Sequence, residues 1–403
     1  MIRYLTAGES HGPQLTGIVE GLPAGLELTA EHISLHLARR QEGYGRGGRM
    51  AWEKDLVTFS SGLRFGKTMG SPVSMSLVNR AWAKDKANWP LTMSLGNIEN
   101  EAEIEKITLP RPGHADLVGV QKFRFDDIRP VIERSSARET AMRVACTAAA
   151  RVFLKELGVE IGGHVIQLGE SGYESWEELR AKSDAFYEKE GAENLFRKAD
   201  VSEVRCLDEK LTESMVDEIK RRRKEGSSLG GMYEIVVTGL PPGLGSYVHW
   251  DRKLDGLLAQ AIISTQAMKG VQIGLGFEAG RRDGRNVHDA IKKDANAPGG
   301  IGRETNRAGG IEGGMTTGQP VLIQGVMKPI PTMLDPLNTV DIASGEATST
   351  RYERSDVCAL PRAVVVAECV IAPVLANAIL EKTGGDSMEE IKERFSKLFE
   401  SIV

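Results

Sequence analysis

SARETAMRVACTAAARVFLKELG, residues 136–158, is the stretch on which the fold reading turns. Ser136 stands three residues ahead of Glu139, the spacing of a capping box at a helix N-terminus, and Gly158 supplies a stop. Between them Ala141, Ala145, Ala148 and Ala149 keep one side of the helix narrow. Neighbouring backbones can approach such a surface closely, so the pattern predicts a central helix and not a surface one.

Strand signals surround it. In SPVSMSLV (71–78) Val73, Met75 and Leu77 alternate with polar residues, the period of a half-buried strand, and similar runs recur near 14–20, 233–238, 271–277 and 320–327. Thr29 predicts the start of a helix with Ile33 and Leu37 on one face, ending at Gly43. Leu254, Leu257, Leu258, Ala261 and Ile262 have helical spacing, and a second capping box, Ser387 to Glu390, opens a peripheral terminal helix with Ile391, Phe395 and Leu398 on one side. Residues 174–225 are charged and helical. Their run Lys220-Arg221-Arg222-Arg223-Lys224 ends a helix, where cations suit the dipole, and reads as a solvated face. Strands and helices mix without a strict strand-helix-strand beat, no linker divides the chain and no internal repeat is visible, so the fold class is α+β with antiparallel sheets.

Composition narrows the function. With 41% hydrophobic and 27% charged residues the 403-residue chain can build a large core, which excludes wholesale disorder. The 45 glycines, about 11% against a usual value of roughly 7%, lie in aperiodic clusters, which points to turns and close ligand approaches. A net charge of -5 and a pI near 5.9 argue against nucleic-acid or anionic-membrane binding by the whole surface. Cys146, Cys206, Cys358 and Cys369 form no C-x-x-C pair and no zinc spacing, so reduced thiols in a cytosolic protein are expected. The N-terminus shows no basic-then-apolar leader, and the most apolar segment, after Pro361, is interrupted by Arg362, Glu368 and Pro373.

Seven segments could carry chemistry. Gly8-Glu9-Ser10-His11-Gly12 matches G-x-S-x-G, but the helix that a nucleophile elbow requires does not follow; the glycines instead let Ser10 and His11 approach a ligand, or simply form a turn. RRQEGYGRGGR (39–49) satisfies G-x-G-x-x-G without the strand before it and the helix after it that a dinucleotide site needs. Arg39, Arg40, Arg46 and Arg49 around a glycine loop suit phosphate or carboxylate groups, with RNA contact as the other reading. RPGHAD (111–116) is a stiff turn presenting Arg111 and His114. RSSARET (134–140) sets Arg134 at a helix start that attracts anions, with Ser136 as its cap. The glycine-dense GGIEGGMTTGQP (309–320) and the rigid KPIPT (328–332) suggest a cofactor wall, or else hairpin turns and an extended connection. RSD (354–356) offers an anion clamp and a proton acceptor, or an exposed pair.

In this order and spacing the seven segments resemble the chorismate synthase family, over nearly the whole chain except the charged 174–225 region. The resemblance implies one α+β domain spanning 1–403, helices sandwiched between antiparallel sheets, with 174–225 as a peripheral elaboration. It implies a lyase that uses reduced FMN (FMNH2) to convert 5-enolpyruvylshikimate 3-phosphate into chorismate and phosphate, a homotetramer in the cytoplasm, and no nucleic-acid or membrane partner. Carried over by motif, His11 is the acid that keeps reduced flavin protonated, His114 lies near the departing phosphate, and Asp356 acts with the flavin as base. Substrate contacts fall to Ser10, Arg46, Arg49, Arg111, Arg134, Ser136 and Arg354, and to Arg40. Flavin contacts fall to Arg134, Ser135, Ser136, Gln266, Ala267, Gly313, Lys328, Pro329, Ile330, Pro331, Thr332 and Arg354. Arg40 and Arg46 are associated with NADPH where a member reduces its own flavin. Arg307, and Arg285-Asn286, depart from the family's usual residues and leave this catalytic set intact. A non-catalytic phosphate or RNA binder would have no use for His11, His114 and Asp356 among the arginines, and a serine hydrolase would centre on Ser10.

Overall fold

Two glycines on two different sheets show how the layers meet. The computed structural model describes residues 1–44, 54–82, 88–99, 101–350 and 356–400. Strands Arg3–Ala7, Gln14–Glu20, Val73–Val78 and Val57–Ser61 form the first sheet in that spatial order, every pairing antiparallel. Leu15, Val19, Val73, Met75 and Leu77 point to its buried face, as the alternation predicts. Gly17 shares that face. A Cβ there would lie 2.3 Å from Cys146 Sγ and 2.5 Å from Met142 Sδ, so the alanine-rich helix, Glu139–Glu156, rests almost on the sheet backbone.

The second sheet runs Met268–Ile273, Val321–Met327, Gly231–Thr238, Glu160–Leu168 and the short Ser171–Gly172, again antiparallel. A Cβ at Gly163 would meet Val364 Cγ1 at 2.7 Å, and one at its neighbour Gly162 would meet the Ala192 carbonyl at 2.0 Å. Successive residues face opposite sides of a strand. Helix Leu360–Val370 therefore covers one face and helix Gly191–Val201 the other, which explains why the Val321–Met327 strand is apolar on both sides. Helices Ala30–Gln41, Glu139–Glu156, Leu360–Val370 and Ala372–Thr383 pack on one another between the two sheets. The fold is thus α+β, with a helical layer held between antiparallel sheets.

The charged segment forms helices Trp176–Tyr187, Gly191–Val201 and Glu209–Lys224. It does more than decorate the surface. Tyr187, Ala192 and Leu195 bury the outer face of the second sheet with Val236 and Leu322. Beneath them Glu234 is fully buried and accepts hydrogen bonds from Ser183 and Arg180, with His164 Nε2 at 3.2 Å, which satisfies a carboxylate that burial alone would penalise. Lys220, Arg221 and Arg222 pair with Asp217, Glu218 and Glu225 on their own helix, in keeping with the solvated reading.

Leu360–Thr383 is long and apolar enough to cross a bilayer, yet most of it is buried inside this protein. Its Glu368 shows why it belongs there: Arg39 Nη1 donates to Glu368 Oε2 at 2.5 Å and Arg151 Nη1 at 2.6 Å, a buried cluster linking three helices.

Three local expectations are adjusted. The central helix begins at Glu139, and its cap is not the expected reciprocal box: Ser136 Oγ accepts from the Arg138 amide at 3.2 Å. The Glu139 carboxylate turns to Thr6 Oγ1 and Gln266 Nε2, both at 2.9 Å, because those tertiary donors outcompete a solvent-facing cap. The strand expected at 271–277 runs Met268–Ile273, ended by the left-handed Gly274 and Gly276. The Ser387–Glu390 box forms as expected, but Met388, Ile391 and Phe395 of its helix are buried in the core.

Candidate active site

The turn that carries His11 is built by sequence-local necessity and then pinned from a distance. Gly8 has φ 104°, and a Cβ there would lie 2.5 Å from the Gln14 carbonyl. No helix follows; the chain returns as the Gln14–Glu20 strand, so Ser10 does not sit on a nucleophile elbow. Buried Asn79 donates to the carbonyls of Glu9 (3.1 Å) and Gly12 (2.8 Å). Glu133, on helix Arg129–Ser135, supplies the other anchor. Its carbonyl accepts from the Ser10 amide at 3.1 Å, its carboxylate accepts from the His11 amide at 2.8 Å, and both carboxylate oxygens lie 3.0 Å from His11 Nδ1. The imidazole stacks on Trp89, centroids 4.0 Å apart and planes 12° from parallel.

His114 has the same arrangement by other means. Gly113 at φ 77° turns the chain so that Asp116, at the start of helix Asp116–Phe123, faces back on the loop. The buried carboxylate accepts from the Arg111 amide (3.0 Å), Arg111 Nε (2.7 Å) and Arg111 Nη2 (3.1 Å), and lies 2.5 Å from His114 Nδ1. Burial pushes the Asp116 pKa up, but the His114 and Arg111 hydrogen bonds and charges outweigh it and hold the carboxyl well below the usual carboxylate range. The two histidine loops share a support. Gly119 packs against Val131, where a Cβ would be 2.5 Å away, so the helix after His114 lies on the helix that carries Glu133.

Arg134 is exposed and clamps the first hairpin, donating to the carbonyls of Gly8 (3.0 Å) and Thr6 (2.8 Å). Ser135 Oγ donates to the Val131 carbonyl at 2.6 Å. Thr6 and Gln266 meet at Glu139. There burial raises the carboxyl pKa, but Arg143, Gln266 and Thr6 together bring it below its ordinary value. Gln266 Oε1 is buried with no hydrogen-bond partner among the described residues, and Ala267 beside it holds a left-handed φ of 67°, costly for a residue with a Cβ. The Ala267 carbonyl accepts from the Lys328 amide at 3.0 Å, and Lys328 Nζ donates to the Gly113 carbonyl. Ser228 Oγ donates to the Ile330 carbonyl at 2.5 Å, and Thr332 is buried. The Lys328-Pro329-Ile330-Pro331-Thr332 segment therefore joins the Gln266 turn to the His114 loop. Gly313 stands apart from these contacts, beside Tyr247 ahead of helix Leu254–Ile263.

Arg40 is buried. It donates to Thr140 Oγ1 (3.0 Å) and the Ala137 carbonyl (2.9 Å), with Asp55 at 3.6 Å; burial lowers its pKa to about 10 against the opposing pull of Asp55. Arg138 bridges Asp55 (2.5 Å) and Asn79 (3.0 Å), which connects Arg40 to the His11 turn. Asp356 accepts from buried Arg362, whose charge also acts on Arg40. The Leu229 amide donates to the Val357 carbonyl, which sets Asp356 beside the segment that Ser228 ties to Ile330. Hydrogen bonds and ion pairs thus link the His11 turn through Asn79, Arg138 and Asp55 to Arg40, Arg362 holds Asp356, and Lys328 links the turn before His114 to Ala267. Arg46, Arg49 and Arg354 lie outside the described residues.

The residues that sequence reading passed over are the partners. Glu133 immediately precedes RSSARET, and Asp116 was inside RPGHAD, so each was adjacent to a recognised motif. Asn79, Asp55 and Trp89 carry no local signal, since their roles arise from contacts dozens of residues away in the chain.

Comparison with known proteins agrees on one family. The family model described as chorismate synthase matches residues 2–380. The chain is 53% identical over 393 residues to a chorismate synthase of Salinibacter ruber, covering 97% of each chain. It is 54% identical over 396 residues to that of Chlorobaculum tepidum, covering 98% of this chain and 96% of the relative. A crystal structure of chorismate synthase superposes with a TM-score of 0.77 at 40% identity, over 99% of this chain and 97% of the other.

Proposed function

The chain belongs to the chorismate synthase family, carbon-oxygen lyases of aromatic amino acid biosynthesis, and on that premise we propose how its residues divide the work. The substrate, 5-enolpyruvylshikimate 3-phosphate, loses a ring proton and its phosphate. The C–H electron pair becomes ring unsaturation as the C–O bond to phosphate breaks, so chorismate and phosphate form with no net redox change.

A polyanion with one phosphate and two carboxylates requires cations in a closed site, and the same cations stabilise the phosphate as it leaves. Arg111 and Arg134, with Arg46, Arg49 and Arg354, fill that role in this reading, and Ser10 and Ser136 add hydroxyl contacts to the substrate. His114 gives a proton to the departing phosphate, and Asp356 takes the ring proton. His11 holds the proton that faces the cofactor. The observation that carries the reading is that both imidazoles have Nδ1 on a buried carboxylate, which leaves Nε2 of each as the nitrogen for proton transfer, with Arg111 Nη2 3.5 Å from that of His114.

The residues fit a flavin. Gln266 Oε1, buried and unpartnered among the described residues, is an acceptor that a flavin N–H would satisfy, Arg134 and Lys328 offer donors to its polar and phosphate groups, and Ser135 Oγ, which gives its hydrogen to Val131, remains an acceptor. Reduced FMN, when bound, supplies transient electron density for phosphate departure. The Arg40 donors are occupied by Thr140, Ala137 and Asp55, so use of NADPH for self-reduction would fall to Arg46. A homotetramer is supported by the first sheet, whose outward face pairs exposed Leu5 with exposed Ile18 among Thr16, Ser74 and Ser76 and, among the described residues, carries no covering layer. The reading keeps the enzyme cytoplasmic.

Purified protein with reduced FMN, held anaerobic, is expected to release chorismate and phosphate together from the enolpyruvyl phosphate; absence of chorismate would overturn the assignment. His114→Ala is expected to lower turnover about 10²-fold or more, and wild-type turnover in that variant would remove His114 from the mechanism.

A further inference from the structure

We propose that Glu133 is a positioning residue for the reaction: it fixes the His11 tautomer with the proton on Nδ1 and leaves Nε2 as the nitrogen that exchanges protons in the site. The inference rests on the reading of His11 above and adds a residue with a role of its own.

The geometry leaves the neutral ring little choice. Glu133 has a side chain only 1% exposed, and its two oxygens both lie 3.0 Å from His11 Nδ1. An ionised carboxylate can only accept, so Nδ1 must be the donor. Trp89 lies flat on the imidazole at 4.0 Å, with Arg129 over the other ring at 5.7 Å to its centroid. Stacking restrains the ring plane but is blind to which nitrogen bears hydrogen. Glu133 alone of these groups makes that distinction.

His114 provides an internal contrast. Its carboxylate, Asp116, also holds three donors of Arg111, so there the negative charge is shared between guanidinium and imidazole. At His11, among the described residues, the Glu133 carboxylate accepts only from His11 itself, its amide and its ring. That arrangement serves a single imidazole.

Glu133→Gln separates tautomer control from scaffolding. The amide oxygen must take the place that accepts the His11 amide at 2.8 Å, because the reverse flip would set two donors face to face. The amide NH2 then occupies the other position, 3.0 Å from Nδ1, with its hydrogens towards the ring. The NH2 opposes a proton on Nδ1, while the amide oxygen, also 3.0 Å from Nδ1, can still accept one, so the preference for Nδ1–H is weakened and the Nε2–H tautomer gains population. The loop anchor, the volume and the stack on Trp89 are retained.

The test uses full-length protein labelled with 15N-histidine and magic-angle-spinning 15N spectra, with His11→Asn identifying the His11 signals. The expected result is a protonated Nδ1 in the unsubstituted protein and a substantial Nε2-protonated population in Glu133→Gln. With it, kcat for chorismate formation falls about tenfold or more while KM for the enolpyruvyl phosphate changes less than about threefold. A His11 proton that stays wholly on Nδ1 in the variant overturns the proposal, as does unchanged kcat. Should the unsubstituted protein make no chorismate, the functional reading fails, and the 15N tautomer result still decides whether Glu133 sets the ring.

Discussion

Asp116→Asn removes the charge that organises the His114 loop without changing its shape. The carboxylate is fully buried and takes four hydrogen bonds, three from Arg111 and one from His114 Nδ1. Asparagine has one oxygen. It can serve the Arg111 side or the histidine side, and its NH2 then confronts the remaining donors. Two bonds to charged groups at about 1.5–3 kcal/mol each, or one broken buried ion pair, both lead to a loss of about 3–5 kcal/mol at pH 7. The pH dependence carries the sign. Because the folded Asp116 pKa lies below its unfolded value of roughly 3.9, its stabilisation is complete above that value and is lost as pH falls through the folded pKa. Urea unfolding of both proteins, followed by tryptophan fluorescence, should therefore show a constant gap from pH 7 down to about pH 4.5 that narrows below about pH 4. A gap that stays level to pH 2, or no gap at neutral pH, would refute the argument that Asp116 is an ionised, internally paired group.

Two further substitutions probe the layer contact and the cofactor turn. Gly17→Ala places a Cβ 2.3 Å from Cys146 Sγ, an overpacking expected to cost about 1–3 kcal/mol in denaturant unfolding. Cys146→Ala in the same chain should recover part of that loss, since the contact with Met142 Sδ at 2.5 Å remains, and strict additivity of the two changes would mean that they do not touch. Gln266→Ala should weaken binding of reduced FMN about tenfold in an anaerobic equilibrium titration, the effect of one hydrogen bond of about 1.4 kcal/mol; unchanged affinity would place the flavin elsewhere.

Much of the fold was legible because it rests on short-range periodicity. The 139–156 helix, the strands at 14–20, 73–78, 231–238 and 321–327, and the Ser387 box all form where spacing and caps indicate. The departure at the central helix has a tertiary cause: Glu139 was expected to close a local box and instead bonds Thr6 and Gln266. The charged 174–225 helices make a contact of the same kind, burying Tyr187 and Leu195 against the second sheet. In each case the contact is with a segment distant in the chain.

The site divides along the same line. His11, His114, Arg111, Arg134 and Asp356 could be named as candidates from linear motifs because side chains presented to a ligand tend to have glycine, proline or cap residues beside them, and those leave marks in the chain. Glu133 on His11, Asn79 under the turn and Asp55 between Arg40 and Arg138 leave none. A hydrogen bond across 122 residues depends on where two helices and a hairpin come to rest, and packing of the whole chain decides that. Amino-acid order alone determined which chemistry this protein can host; tertiary structure decided which nitrogen of His11 carries the proton, because only a folded core can bury a carboxylate against a ring so far from it in the chain.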